Sequence, residues 1–337
     1  MRRHWWRGLL WGVSMALLLS GGVALAGKGP PVGLLAWETH DVGTINVDIY
    51  DEGSSGYYAV YWPCPGVCEI HTSAASFLLG NSSTTLANAN WDDDFETTSD
   101  GEITITEPGV ISDEDGYAQY DDKGLLGLEI TQYSCAWEDE DFILVAYEIR
   151  NVSDATLSGL YAGHYVDPDV DGTYEDDSAG YDSERAMGYA LDTVAGTHLG
   201  LRHLLGEVSS YRNGPYDTYN DDDSLYDALS SGLFDGTYTP PPADDDLEFL
   251  MGVGPFSLPA GGVYKLGTAG VAGSSLADLQ ANSDRALAMW LASDGCGIGL
   301  PEEEPEFVPE PGTVLLLGSG LLGIAGYAGL RLRSRSR

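Results

Sequence analysis

The chain has 337 residues, of which 53 are Asp or Glu and 15 are Lys or Arg, so its formal net charge is −38. This charge excludes a nucleic-acid binder that works by neutralising phosphates, and it disfavours docking on anionic lipid. A hydrophobic content of 43% with 10% aromatic residues excludes disorder along the whole chain, and the length accommodates one large or two modest domains.

Residues 1–26 have the three parts of a secretory signal peptide. Three arginines within residues 2–7 precede an apolar stretch at 9–19 that is short for a membrane span. Ala24 and Ala26 then place small side chains at the −3 and −1 positions of a cleavage site. The pattern predicts export by the general secretory route, with an uncleaved N-terminal anchor as the alternative.

Strand patterns dominate residues 27–296. Residues 44–50 alternate apolar and polar side chains, and a turn rich in Gly and Ser separates them from a second strand pattern at 57–62, which predicts a hairpin. Further strands are predicted at 102–106, 125–137, 142–151, 157–166, 186–192, 198–203, 247–253 and 263–267. The regular spacing of these strands predicts an all-β, sandwich-like body.

One amphipathic helix is predicted at residues 275–292, near the end of this body. Apolar side chains recur there at spacings of three and four residues, which gives the helix one apolar face. The residues of that face are Leu276, Leu279, Ala286, Leu287 and Trp290. Ser275 followed three residues later by Asp278 predicts an N-terminal capping box, and a shorter helical turn is predicted at 224–229.

Four cysteines in an exported chain suggest two disulfides, for which three connectivities are possible. Cys64 and Cys68 flank a Pro-Gly-Val segment that favours a turn, so this pair can close a small loop. Cys135 and Cys296 then remain, and their bridge would tie a central strand to the end of the helix. We prefer this pairing to a zinc or redox site at Cys64 and Cys68, because the other two cysteines are isolated in sequence.

The strongest candidate site is an acidic loop at residues 167–177. Carboxylates stand at positions 1, 3 and 5 of this loop and Gly172 at position 6, as in the first half of a calcium-binding loop. The loop departs from an EF-hand because Ser178 occupies the position of the bidentate Glu and because the flanks have strand patterns. We therefore predict a calcium loop between strands, with a solvated acidic turn as the alternative. The predicted ligands are Asp167, Asp169, Asp171, Glu175, Asp176 and Asp177.

The remaining acidic runs, at 92–94, 113–115, 221–223 and 244–246, lack this frame and are predicted to be solvated loops.

No Gly-x-Ser-x-Gly elbow, His-Glu-x-x-His motif, Walker loop or dinucleotide fingerprint is present. Among 53 acidic residues, a glycosidase pair cannot be recognised by spacing. The body is therefore predicted to be non-catalytic, with a secreted carbohydrate-binding module or carbohydrate-active enzyme as the alternative.

The C-terminal end has three parts in a fixed order. An acidic linker rich in Pro and Glu at 297–312 ends in Pro309, Glu310 and Pro311. The uncharged stretch at 313–330 would form a helix of about 27 Å, which is enough to cross a bilayer core. The four arginines of 331–337 would then remain in the cytoplasm as a basic tail.

This ending resembles the PEP-CTERM sorting signal of Gram-negative bacteria; a plain single-span anchor is the alternative. The resemblance implies that an exosortase-type enzyme in the membrane recognises the Pro-Glu-Pro element and removes the tail. It also implies a membrane-anchored precursor and a mature protein at the cell surface or in the extracellular matrix. There, an anionic extracellular polysaccharide is the partner that we expect, with calcium bridging the two acidic surfaces.

The body also carries a resemblance. Residues 147–153 and 160–170 are similar to a module of secreted bacterial surface proteins that has no assigned activity. Residues 254–261 and the helix after them resemble the closing part of that module, and 76–80 fit its opening. The resemblance implies an extracellular β-rich body and no particular reaction.

The two terminal signals predict a mature protein that begins at Gly27 and lacks the segment beyond Pro311. Intact-mass spectrometry of the protein recovered from the bacterial surface measures both cuts. A variant with Pro309→Ala and Pro311→Ala should keep its tail and remain in the membrane fraction, because the recognition element is gone. A wild-type surface protein that retains residues 331–337 would contradict the sorting prediction.

Overall fold

The computed structural model describes residues 37–50, 60–64, 69–72, 74–89, 94–99, 101–174, 176–240 and 246–299. The predicted signal peptide, the Pro-Glu-Pro element, the apolar stretch at 313–330 and the basic tail lie outside these residues. The described residues form eighteen strands, two α-helices and two short 3-10 turns. They are therefore β-rich, as predicted.

The first nine strands are β1 (Trp37–His40), β2 (Asn46–Tyr50), β3 (Val60–Trp62), β4 (Glu69–Ile70), β5 (Ala74–Gly80), β6 (Ala87–Asn88), β7 (Glu96–Thr97), β8 (Thr104–Thr106) and β9 (Glu114–Asp121). The other nine are β10 (Leu128–Ala136), β11 (Phe142–Asn151), β12 (Leu157–Asp167), β13 (Asp177–Asp182), β14 (Met187–Asp192), β15 (His198–Leu205), β16 (Val208–Pro215), β17 (Leu247–Leu258) and β18 (Val263–Gly273). The helices are α1 (Asp222–Ser230) and α2 (Leu276–Ala292), and the 3-10 turns are Ser83–Thr85 and Val170–Gly172.

These strands form three sheets. A small sheet has the order β1-β2-β3-β4, and a five-stranded sheet has the order β16-β17-β12-β5-β6. The large sheet has the order β13-β14-β15-β18-β11-β10-β9-β7, with β8 also paired to β9. The predicted hairpin is present as the antiparallel pair of β2 and β3, with Asn46 opposite Tyr61.

The central core lies between the five-stranded sheet and the large sheet. In β11, Ile143, Val145 and Tyr147 belong to this core, whereas the residues that alternate with them pack beneath α2. Phe77 of β5 stacks on Tyr147 with 4.6 Å between ring centroids. Because both faces of β11 are buried, its sequence is an almost continuous apolar run instead of an alternating one.

Each helix covers the outer face of one sheet. Leu225 and Leu229 of α1 pack on the five-stranded sheet, and Leu279 and Trp290 of α2 pack on the large sheet. A Cβ atom at Gly267 of β18 would lie only 2.2 Å from the Trp290 ring, so glycine allows the helix to approach this strand. The large and five-stranded sheets thus pack on each other with a helix on the outer face of each, and the small sheet adds Val47, Ile49 and Val60 to the same core. This arrangement is consistent with the predicted all-β class.

The predicted apolar face of α2 is only partly right. Leu276 is 37% exposed, whereas Asn282 is buried because its amide donates to the Ala272 carbonyl oxygen at 2.9 Å. Ser275 caps the helix, accepting from the Asp278 N–H at 3.2 Å. The Asp278 carboxylate accepts from the N–H of Ser274 instead of that of Ser275, so the predicted capping box is incomplete.

The sequence patterns do not predict eight of the described strands, which are β1, β4, β5, β6, β7, β9, β13 and β16. In β9, Glu114, Gly116, Ala118 and Tyr120 are buried, and the residues between them are half-buried. The alternation is therefore present, but small and acidic side chains occupy the buried positions. A search for alternating large apolar residues cannot recognise such a strand.

A disulfide joins Cys135 of β10 to Cys296 after α2, with 6.1 Å between their Cα atoms. It fixes the end of the helix to the middle of the large sheet. Cys64 is also disulfide-bonded. Cys68 lies outside the described residues, so the pairing of Cys64 with Cys68 stays a prediction.

Replacing both Cys135 and Cys296 by Ser should lower the melting temperature by about 10 °C. The bridge spans a sequence separation of 161 residues, and the chain-entropy model gives such a loop roughly 4–5 kcal/mol of stabilisation. Differential scanning calorimetry measures the change. Cys64→Ser with Cys68→Ser is the matched control and should cost less, because that pair would close a short loop. Equal losses in the two double variants would contradict this account.

Candidate functional site

Three carboxylates meet where β12 ends and β17 begins. Oxygen atoms of Asp167, Asp169 and Asp246 all lie within 4.8 Å of one another. The two strands pair antiparallel with Val166 opposite Phe249. Continuing this register past the end of the ladder places Asp246 opposite Asp169. Strand pairing therefore brings together two acidic segments that are far apart in the sequence.

The 3-10 turn at Val170–Gly172 folds the chain back towards these carboxylates. The Val170 N–H donates to Asp177 Oδ2 at 3.0 Å, and the Asp171 N–H donates to His71 Nδ1 at 2.9 Å. His71 Nε2 lies 2.6 Å from the Trp62 carbonyl oxygen, an arrangement that fits a neutral ring with its proton on Nε2. One carboxylate oxygen, Asp177 Oδ2, and the His71 imidazole thus hold the turn, which leaves Asp177 Oδ1 without a hydrogen-bond partner among the described residues.

Asp167, Asp169, Asp171, Asp177 and Asp246 are called the acidic centre below. Four of its members have a buried side-chain oxygen with no hydrogen-bond partner among the described residues, and Asp169 is the exception. Asp167 is 8% exposed and Asp177 is 1% exposed. A buried carboxylate without partners costs several kcal/mol of desolvation, so these oxygens are suited to a ligand that supplies positive charge.

Burial raises the pKa of Asp167 to about 8, and the negative charges of Asp246 and Asp169 act in the same direction. Burial also raises the pKa of Asp177 to about 8, although the hydrogen bond from Val170 opposes this shift. The pKa of Asp246 rises to about 6, through burial and then the charge of Asp169. The carboxylates therefore resist ionising together, and a divalent cation among them would remove that resistance.

The remaining predicted ligands, Glu175 and Asp176, are not part of the acidic centre. Asp176 is exposed, and its backbone carbonyl oxygen accepts from the Thr193 N–H at 3.0 Å. Glu175 lies outside the described residues. Asp246 belongs to the run at 244–246 that we predicted to be solvated, and this prediction is wrong for Asp246, whose Oδ1 atom is buried. The only signal that could have identified Asp246 is the pairing of β12 with β17.

A second polar cluster has the order of a hydrolase triad. His40 Nε2 lies 2.7 Å from Ser134 Oγ, and His40 Nδ1 lies 3.1 Å from Glu114 Oε2. Burial alone would raise the pKa of Glu114, but hydrogen bonds from His40 and from the backbone N–H of Asp41 outweigh it and hold the pKa below its ordinary value. The cluster joins β1 to β9 and β10.

The same cluster is shielded from solvent. His40, Glu114 and Ser134 are 0%, 3% and 1% exposed, respectively. A Cβ atom at Gly116 would lie 2.1 Å from Ser134 Oγ, so the backbone of β9 packs directly against the hydroxyl. A substrate carbonyl could not reach Ser134 Oγ in this arrangement, and the cluster is suited to holding the strands together.

A polar groove of about 380 Å³ lies on the outer face of the large sheet, on strands β9, β10, β11 and β18. Its side chains come from positions that alternate along the strands, and all of them reach solvent. Arg150 and Val263 are exposed, whereas the other lining side chains are half-buried. The groove is lined by Tyr117, Gln119, Glu129, Thr131, Tyr133 and Glu148, among others. We call it the sheet groove.

Two histidines pack edge to face within the central core. The rings of His164 and His203 have centroids 5.7 Å apart, and neither ring nitrogen of His203 has a hydrogen-bond partner among the described residues. Burial lowers the pKa of His203 to about 4. Burial, followed by the charge of His203, holds the pKa of His164 well below its ordinary value. The pair therefore stays neutral at ordinary pH.

Comparison with known proteins identifies the C-terminal signal. Residues 307–334 match the PEP-CTERM protein-sorting motif. The chain therefore carries this signal, which indicates an exported protein that is sorted to the cell envelope and processed by an exosortase-type enzyme. No curated protein matches the chain.

Comparison with solved structures finds similarities at low sequence identity. A bacterial glucoamylase complexed with acarbose aligns over 80% of this chain with a TM-score of 0.52 and 10% identity. This chain spans only 39% of that enzyme. An alpha-galactosidase from Geobacillus stearothermophilus aligns over 72% of this chain and 42% of its own, with a TM-score of 0.39 and 12% identity. At these identities the glucoamylase likeness shows a shared β-rich fold and no shared reaction.

Replacing His203 by Leu should remove one contribution to the loss of stability in acid between pH values of about 6.5 and 4. The folded-state pKa of about 4 lies below the value of about 6.5 for an unfolded histidine, so acid protonates the unfolded chain first. His203 alone should therefore lower the free energy of unfolding by about 3 kcal/mol across this window. Asp167 and Asp177, whose folded-state pKa values are about 8, act in the opposite direction.

Urea unfolding at a series of pH values measures this change. Leu has a similar volume and removes two unpartnered nitrogen atoms, so the variant should fold. Exposed Asp154→Asn is the control and should keep the wild-type slope. A His203→Leu variant with the same slope as the wild type would show that other groups set the acid sensitivity.

Proposed function

We propose that the chain is a non-catalytic protein of the Gram-negative cell surface or extracellular matrix whose body is stabilised by calcium. The PEP-CTERM motif accounts for its export and sorting. The observation that carries the proposal is the pair of buried, unpartnered carboxylate oxygens of Asp167 and Asp177 within one acidic centre.

Calcium fits the chemistry of this centre better than the other common protein metals. All the available side-chain donors are carboxylate oxygens, which Ca²⁺ and Mg²⁺ prefer, whereas zinc prefers nitrogen and sulfur. The donors come from a strand end, a 3-10 turn and the start of a distant strand. Calcium accepts such irregular, crowded oxygen sets, while Mg²⁺ requires a near-ideal octahedron and retains its water.

A cation here would also cross-link the fold. Asp167 ends β12 and Asp169 follows it, while Asp177 begins β13 and Asp246 precedes β17. One ion that contacts these segments would join the edge strand of the large sheet to two strands of the five-stranded sheet. Such a site is expected in an exported protein, because extracellular modules bind calcium at roughly 10⁻⁴–10⁻³ M.

The non-catalytic part of the proposal rests on the enclosure of the Ser134, His40 and Glu114 cluster. The order of the three side chains suits acyl transfer, but a nucleophile that is 1% exposed beneath a packed strand has no access to substrate. We assign this cluster a structural role. The carbohydrate-active alternative is favoured by one observation, the fold shared with a glucoamylase.

We further propose that the apolar stretch at 313–330 anchors the precursor in the membrane until the exosortase-type enzyme acts. Among the described residues, no helix is long and apolar enough to cross a membrane. The stretch itself lies outside those residues. Once released, the acidic body would meet anionic matrix polysaccharide through calcium bridges, since two negative surfaces otherwise repel each other.

Millimolar calcium should raise the melting temperature of the purified protein, and Asp169→Asn with Asp246→Asn should abolish most of the rise. Binding to the folded state alone stabilises it by about 2.7 kcal/mol when calcium is at one hundred times its Kd. In chelator, the double variant should be at least as stable as the wild type, because it removes two carboxylates that repel their neighbours.

Asp154→Asn with Asp227→Asn is the matched control, since it removes two exposed carboxylates and changes the net charge equally. Calorimetry with calcium, magnesium and chelator compares the three proteins. An equal calcium shift in both double variants would reject the acidic centre as the site. Turnover of glycan, ester or peptide substrates that one carboxylate substitution abolishes would reject the non-catalytic assignment.

A further inference from the structure

The outer face of the large sheet is divided between α2 and the sheet groove. On β11, Leu144 and Ala146 pack beneath the helix, whereas Glu148 and Arg150 follow on the same face, beyond the helix. The apolar residues are thus used for packing within the molecule. The polar residues of the same face remain open to solvent, and their arrangement has no role in the core.

Strand register sets the groove side chains in rows across the sheet. Tyr133 lies opposite Tyr117 in one row. Thr131 lies between Gln119 and Glu148 in the next row, because it pairs with both neighbouring strands. Side chains directly opposite each other are about 5 Å apart at Cβ, so the rows form a continuous floor of aromatic and hydrogen-bonding groups.

Basic side chains partly offset the carboxylates of the groove, in a chain that carries −38 as a whole. Glu129 lies opposite Arg150 in the β10–β11 register. Glu148 Oε1 lies 3.6 Å from Lys265 Nζ on the neighbouring strand. Each of these two carboxylates therefore has a basic partner, and Asp121, which also lies opposite Glu129, adds a further carboxylate. The groove has no excess of positive charge to attract a polyanion.

The aromatic pair supplies an apolar surface within this polar floor. The Tyr117 and Tyr133 rings lie edge to face, with centroids 5.6 Å apart. Burial, followed by the charges of Glu148 and Tyr117, raises the pKa of Tyr133. Its hydroxyl therefore stays protonated and can donate a hydrogen bond at the edge of the ring.

We propose that the sheet groove binds an uncharged polysaccharide chain. A sugar ring has an apolar face that stacks on tyrosine and a rim of hydroxyls that needs donors and acceptors, and the groove provides both. A protein partner would require a more apolar centre, and a polyanion would require excess positive charge. A groove of about 380 Å³ is within the range of small-ligand sites.

The groove is also held rigid at one border. Lys265 donates to the carbonyl oxygens of Ile298 and Gly299, with 2.9 Å to Gly299, while it faces Glu148 of the groove. The disulfide at Cys296 fixes the same C-terminal segment. Preformed geometry lowers the entropy cost of binding. Ile298 and Gly299, which end the described part of the chain, therefore lie beside the groove.

Affinity electrophoresis of the full-length protein in a non-glycosidic detergent tests the proposal. The gels contain amylose, β-1,3-glucan or galactan as neutral probes, and alginate as the anionic comparison. At least one neutral polysaccharide should retard the wild type, and the retardation should persist in chelator because the groove does not use the acidic centre. Calorimetric titration with a hexasaccharide of the retarding polymer then gives the affinity.

Tyr133→Ala and Tyr117→Ala should each weaken this affinity at least about tenfold, whereas Tyr133→Phe should weaken it less because stacking survives. Glu129→Gln perturbs the fold least and should weaken binding about threefold, which keeps the test valid if an alanine variant misfolds. Trp37→Ala is the control, since Trp37 is 55% exposed in β1 and does not line the groove.

Three results would overturn the proposal. The first is retardation by none of the neutral polymers. The second is unchanged affinity in correctly folded Tyr133→Ala and Glu129→Gln variants. The third is retardation by alginate alone, which would instead indicate calcium-dependent contact through acidic loops. The calcium-dependent melting shift is measured separately, so a failure of the groove does not affect the assignment of the acidic centre.

Discussion

The antiparallel pairing of β12 with β17 is the constraint on which the acidic centre and the five-stranded sheet both depend. Four strands and α1 separate the two strands in sequence. Their register puts Asp169 and Asp246 at the same end of the ladder, and it buries Tyr165, whose hydroxyl donates to Glu248 at 2.7 Å. The same strand places His164 in the core against His203. One long-range pairing therefore positions both the carboxylates of the acidic centre and the buried His164 ring.

A chain with so few basic residues uses them to join elements. Arg185 contacts Asp182 and Asp284, and Arg202 contacts Asp284 at 3.2 Å, so one carboxylate of α2 is held by two arginines of the large sheet. Asp284 is 54% exposed, and such pairs contribute little stability singly. These ion pairs instead fix the position of α2. Together with the disulfide, they keep the helix on one half of the large sheet, and the sheet groove remains open on the other half.

The fold explains why some elements were predictable and others were not. Strand β11 has a strong signal because both of its faces are buried, and α2 has one because Leu279, Ala286 and Trp290 recur at helical spacing. Strand β9 has a weak signal, since its buried face consists of Glu114, Gly116, Ala118 and Tyr120. Glu114 can be buried there because His40, which is distant in sequence, is its hydrogen-bond partner. A local sequence pattern does not contain that partner.

The sequence alone determined the features that depend on neighbouring residues. These are the β-rich class, the sorting motif at the C-terminus and the alternate carboxylates of Asp167, Asp169 and Asp171. Tertiary structure alone decided which side chains that are distant in sequence come into contact. It brought Asp246 to the acidic centre, enclosed Ser134 and His40, and set Tyr117 beside Tyr133. The physical reason is that local spacing fixes the direction of a side chain, whereas contact between strands depends on a register set by the burial of whole sheets.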